Sequence, residues 1–126
     1  MVVQSAQSGP PGGGQFDRIG ISAADADASK MQMFPCLGAS VASVAAICDT
    51  ASATITVRMI YFNASALPCG ASLPIVFTSG STADFGTLFM GLASSDMWRP
   101  VAGATSIGVK VDSVSAGRWS LHGASA

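Results

Sequence analysis

From Thr54 to Phe62 the chain reads TITVRMIYF, with Ile55, Val57, Met59 and Tyr61 at alternate positions and Thr54, Thr56 and Arg58 between them. A period of two is the signature of a strand buried on one face. Ile60 and Phe62 extend the apolar character to the second face near its end. The same alternation returns near the C-terminus. Ile107, Val109 and Val111 alternate with Gly108, Lys110 and Asp112, a turn follows at Ser115–Gly117, and Trp119 and Leu121 alternate with Arg118 and Ser120. That stretch predicts a hairpin, with Trp119 in the core. Shorter strands are predicted at Phe16–Ile21, Lys30–Phe34, Ile75–Thr78 and Thr87–Leu92, punctuated by Pro35, Pro68, Pro74 and Pro100 at strand ends or edges. Val41, Val44 and Ile47 recur every three residues, a spacing open to a short helix. Serine and valine are poor helix formers, however, so Val41–Cys48 is read as a strand leading through a turn at Asp49–Ser52. About seven to eight short strands at this spacing predict an all-β fold, an antiparallel β-sandwich or jelly roll.

The opening MVVQSAQSGPPGGGQF has no periodicity. Residues 1–15 are expected to form an extended Gly/Pro-rich arm, and residues 16–126 the sandwich. Pro10, Pro11 and Gly12–Gly14 exclude a helix, and so short a segment buries too little to offset about 1–2 kcal/mol of backbone entropy per ordered residue. Order in the arm is therefore expected from outside the domain. Val2 and Val3 offer an apolar anchor, Pro10 and Pro11 lie in the tether, and Phe16 marks the junction with the sandwich. Such an arm can add a strand to a neighbour's sheet edge.

Composition points the same way. Only 10% of residues are charged while 49% are hydrophobic, and the mean hydropathy is +0.49. So lightly charged a surface is expected to be covered by neighbouring chains, which makes a homo-oligomer the expected state. The most hydrophobic stretches run about eight residues against the roughly 20 a spanning helix needs, so no membrane partner is expected. The six basic residues, Arg18, Lys30, Arg58, Arg99, Lys110 and Arg118, are scattered singly, and no nucleic-acid partner is expected. No basic n-region or apolar h-region opens the chain, so no secretory signal is expected.

Candidate chemistry is sparse. The chain has one histidine, His122, no glutamate and no G-x-S-x-G elbow, so no catalytic residue is assigned and the protein is expected not to be an enzyme. Cys36, Cys48 and Cys69 lack the paired spacing of zinc ligands and read as small buried thiols. Asp25, Asp27 and Ser29 open like a calcium loop, but Lys30 and Cys36 occupy the positions that need glycine and glutamate. No metal or cofactor is expected. Trp98 beside Arg99, ahead of Pro100, is an exposed aromatic suited to protein contact, with weak glycan contact as the alternative. The candidate assembly residues are thus Val2, Val3, Pro10, Pro11, Phe16, Trp98 and Arg99.

SLPIVFTSGSTADFGTLFMGL followed by WRPVAGATSIGVKVDSVSAGRWSLHG resembles the C-terminal half of small β-sandwich virion structural proteins of tailed bacteriophages. The corresponding elements are a Gly103-Ala104 turn, the alternating strand Ile107–Val111 and the Ser115–Gly117 turn into the last strand. The resemblance implies a virion location and a structural role without enzymatic activity. A capsid decoration or cement subunit binding the major capsid protein is the leading expectation. A neck, tail or fibre-attachment subunit and a carbohydrate-binding sandwich module are the alternatives.

Overall fold

A computed structural model describes residues 14–26, 31–36, 38–93, 99–100 and 103–126. Ten strands run through them: β1 (Gly14–Ile21), β2 (Met31–Pro35), β3 (Val41–Cys48), β4 (Thr54–Phe62), β5 (Pro68–Ala71), β6 (Ile75–Ser79), β7 (Phe89–Ala93), β8 (Arg99–Pro100), β9 (Ser106–Val114) and β10 (Trp119–Ser125). A 3-10 turn at Ala23–Asp25 follows β1, closed by Ser22, whose backbone N–H donates to the Asp25 carboxylate at 2.9 Å. The protein is all-β and antiparallel, as the alternation requires. Eight of these strands correspond to those the pattern predicts, and the two-residue β8 and wholly exposed β5 are additions. Gly14 and Gln15, assigned from sequence to the arm, are the first two residues of β1 and pair with Ser125 and Ala124.

The main path of the sheet runs β1-β10-β3-β7-β6-β4-β9-β2, with β5 on β4 and β8 on β3. Leaving those two short strands aside, the first strand pairs with the last, the second with the second last, and so inward: β1 with β10, β2 with β9, β3 with β7, β4 with β6. This nesting is a jelly roll, one long hairpin folded over so that β10 also meets β3 and β9 also meets β4. The ends of the path, β1 and β2, lie alongside one another, so the sheet curls nearly into a barrel.

One expectation is overturned. Ile107–Val111 and Trp119–Leu121 form strands as predicted, but they do not pair as a hairpin. β9 lies between β4 and β2, and β10 between β1 and β3. Alternation fixes which side chains face the interior; it does not choose the neighbour that supplies the hydrogen bonds. The segment Ser115–Arg118 instead crosses from one half of the curled sheet to the other. It runs beside the second crossing, Asp49–Ala53, and the two are tied where the Arg118 backbone N–H donates to Asp49 Oδ1 at 2.8 Å. Gly117 sits there at φ +76°, and a Cβ at that position would fall 2.7 Å from Thr50 Oγ1. The second crossing is anchored by buried Ser79, whose hydroxyl donates to the Thr50 carbonyl at 2.6 Å and accepts from the Ala53 N–H at 2.8 Å.

Between the walls lies one apolar cluster in which Ile55, Val57, Met59, Ile75, Phe77, Ile107, Val111, Trp119 and Leu121 have no exposed surface. Val57 is opposite Ile75 on one side and Val111 on the other. Fully burying a side chain of this size contributes about 1.5–3 kcal/mol. The inward face predicted for β4 is therefore the one observed.

Candidate interaction surfaces

Of the assembly residues chosen from sequence, Val2, Val3, Pro10, Pro11 and Trp98 lie outside the described residues. The backbones of the other two have defined places. Phe16 in β1 is opposite Gly123, and Arg99 in β8 is opposite Ala42. Pairing carries a single row across one half of the sheet, Gly14 to Ser125 to Ala42 to Arg99. At roughly 4.8 Å per strand, the start of β1 and β8 are about 14 Å apart on the same end of the fold. Gly14 and Arg99, distant in sequence, are thus brought together, which spacing alone could not reveal.

At that end of the fold β3 and β4 change partners. β6 pairs only with Thr54–Val57 of β4, and β7 only with Ala46–Cys48 of β3. The remaining halves of those strands are taken by β5 along Ile60–Phe62 and by β8 along Val41 and Ala42. All four residues of β5 are exposed, and Leu67 and Leu73 flank it at 60% and 78% exposure.

A second surface was not legible from sequence. Phe85, Leu88, Met90 and Leu92 are all exposed, the last to 66%, although each is a large apolar residue. Phe85 and Leu88 face each other across a two-residue turn, exchanging backbone hydrogen bonds of 3.2 and 3.1 Å. Gly86 holds its first central position at φ +68°, where a type II′ hairpin takes glycine. Leu88, Met90 and Leu92 then alternate along β7 and its approach. The opposite parity of β7 faces inward and includes Gly91, which lies beneath Trp119: a Cβ there would meet Trp119 Cζ3 at 2.7 Å and the Ala46 carbonyl at 3.2 Å. Only the glycine parity fits under the indole, so the leucines and the methionine are turned out. In the sequence TLFMGLA both parities are apolar, and the single glycine is the only sign of which one faces in.

Several of the described charges are held in local groups. Asp112 bridges Arg58 at 2.8 Å and Lys110 at 3.1 Å on the outer face of β4 and β9. Partial burial acts to raise the Asp112 carboxyl, but the hydrogen bonds from Arg58 and Lys110 outweigh it and hold the group below the usual carboxylate range. Arg18 is 3.6 Å from Asp25, and His122 Nδ1 is 2.7 Å from Asp17 Oδ1. Asp84 turns back to accept the Met90 N–H at 3.3 Å. Among the described residues no three His, Cys, Asp or Glu side chains converge in a group that could hold a metal ion.

All three cysteines are free, and the expectation of buried thiols is corrected at one of them. Cys36 and Cys48 are buried, whereas Cys69 is exposed on β5. Burial pushes both the Cys36 and Cys48 thiols up, which suppresses the reactive thiolate. In the folded protein an alkylating reagent should therefore modify one thiol, Cys69, with the other two reacting only after denaturation. Intact-mass analysis before and after denaturant reads this directly, and rapid double or triple labelling of the native protein would contradict the placement.

These features define the class: a lightly charged jelly-roll protein with its ion pairs closed upon themselves and apolar side chains on two outer surfaces. The chain matches no family model and no curated protein.

Proposed function

We propose that the protein is a non-enzymatic structural subunit of a virus particle, a capsid decoration or cement protein that binds neighbouring capsid chains. The observation that carries the reading is the nested strand order, a jelly roll of the kind that builds viral capsid domains. Because the same architecture serves lectins and cupins, fold analogy alone does not select among them. The surface supports the structural role: Arg58 and Lys110 pair with Asp112 and Arg18 pairs with Asp25, while large apolar side chains are left outward for contact with another protein. Arm residues 1–13 lead into the row that ends at β8, so a strand added from there would join two subunits through main-chain hydrogen bonds.

The test is made on purified particles from the virus that encodes the chain. The protein should be present at a copy number set by capsid symmetry, and deleting residues 2–13 should sharply lower that occupancy while leaving thermal melting of the isolated protein unchanged. Absence from particles would overturn the reading. A copy number of a dozen or fewer would move it to the neck or tail, and saturable binding on a glycan array without particle incorporation would favour the carbohydrate module.

A further inference from the structure

We infer that the thioethers of Met31 and Met33, converging over Gly108 on the outer face of β2 and β9, form a binding site for one soft monovalent metal ion, copper(I). The site is separate from the surfaces invoked for assembly and stands or falls without that reading.

The spacing Met31-Gln32-Met33 puts both thioethers on one face of β2, since alternate residues of a strand share a side. Across the ladder Met33 is opposite Gly108 and Met31 is opposite Lys110. Gly108 has no side chain to fill its place on that face, and both methionines bend into the notch it leaves. A Cβ on Gly108 would lie 2.9 Å from the Met33 sulfur and 3.0 Å from the Met31 sulfur. Two sulfurs are thus aimed at one point. Metal–sulfur bonds of about 2.3 Å fit between sulfurs so placed, and the unbranched methionine chain supplies the small adjustment. The Phe62 ring closes a third side, its Cε2 3.2 Å from the same point, and Ile60 is opposite Gly108 on β4. Met33 is 45% exposed, so this apolar notch borders solvent and an ion can reach it.

The donors select the ion. A thioether is a neutral, soft ligand that brings no charge to offset a hard divalent cation, and copper(I) is the ion that takes sulfur of this kind. Zinc and calcium have no comparable set, because among the described residues no three His, Cys, Asp or Glu side chains come together. The neighbouring charges also favour one positive charge over two. Arg58 and Lys110 flank the notch, but Asp112, two residues beyond Lys110 on β9, holds the Lys110 ammonium at 3.1 Å and the Arg58 guanidinium at 2.8 Å. Both cations are thereby drawn away from Gly108.

The experiment titrates the full chain with copper(I) under reducing, oxygen-free conditions and with silver(I), a redox-stable ion of the same charge and softness. Because the exposed Cys69 thiol also takes soft ions, both titrations use Cys69→Ser; Cys36 and Cys48 are buried. With the methionine methyl groups labelled with carbon-13, the Met31 and Met33 signals should shift together and saturate at one ion per chain. Those of buried Met59 and of Met90, exposed elsewhere on the surface, should stay in place. Met31→Leu and Met33→Leu, volume-conserving exchanges, should each abolish uptake with little loss of stability. Gly108→Ala keeps both sulfurs but pushes them aside, and should weaken binding roughly 10–100-fold, as loss of a group that positions a metal ligand does. Should Gly108→Ala fail to fold, the two leucine variants carry the test. Absence of uptake in the Cys69→Ser chain, uptake shared equally by Met90, or uptake unchanged in Met33→Leu overturns the inference. So does zinc(II) producing the same methyl shifts, which would mark a site without the selectivity that thioethers impose.

Discussion

Replacing Val57 by Asp should leave no cooperatively folded protein at 25 °C. Val57 has no exposed surface and is enclosed by Ile75 and Val111 on the adjacent strands. The substitution forfeits roughly 1.5–3 kcal/mol of apolar burial and places an unpaired carboxylate in the core, where an uncompensated charge costs about 3–5 kcal/mol. The combined loss matches the whole stability of a typical domain, about 5–15 kcal/mol at the low end. One residue earlier, Thr56 points to the outer face and is partly exposed, so Thr56→Asp should remain folded and within about 1 kcal/mol of the parent. Circular dichroism and a urea titration distinguish the two. A soluble Val57→Asp protein melting within a few degrees of the parent would mean that the β4 register is wrong.

The second large effect belongs to Gly91. A methyl group there would lie 2.7 Å from Trp119 Cζ3, 3.2 Å from the Ala46 carbonyl oxygen and 3.3 Å from the Ala46 Cβ. Trp119 is fully buried and its indole N–H donates to the Ala116 carbonyl at 3.2 Å, so the ring has little room to retreat. Gly91→Ala should therefore destabilise by about 1–3 kcal/mol despite alanine's lower conformational entropy cost, and Gly91→Val by more. Trp119→Phe removes the atoms that clash and costs stability through the space it leaves. The double variant should be more stable than the sum of the single effects, with a coupling of about 1 kcal/mol or more. Additivity within error would show that the indole does not rest on Gly91, and the reason for the outward leucines would fall with it.

The period of two marks eight of the ten described strands and, where one parity is polar, the face that turns inward. In β4, Ile55, Val57, Met59 and Tyr61 are buried as their spacing requires, and in β10 Trp119 and Leu121 are too. Burying one side of an extended chain forces a period of two wherever in the sheet the strand comes to lie. Val41–Cys48 was the ambiguous case, and strand formation prevailed because alternate residues Ala42, Val44, Ala46 and Cys48 are small enough to pack inward while Ile47 sits on the outer face. Composition likewise announced a protein with few charges to offer a partner.

Which strands pair is not written in any one strand. A strand's two edges carry the same backbone donors and acceptors, so nothing local distinguishes β9 bonded to β10, as expected from their short connection, from β9 bonded to β2 and β4, as found. The selection is made by enclosure: folding the long hairpin over itself places Ile107 and Val111 on one wall and Trp119 and Leu121 on the other, burying both sets at once. The same enclosure created the candidate surfaces. Gly14 and Arg99 share a row because β10 and β3 lie between them. Leu88, Met90 and Leu92 face outward because a distant tryptophan claims the space over Gly91.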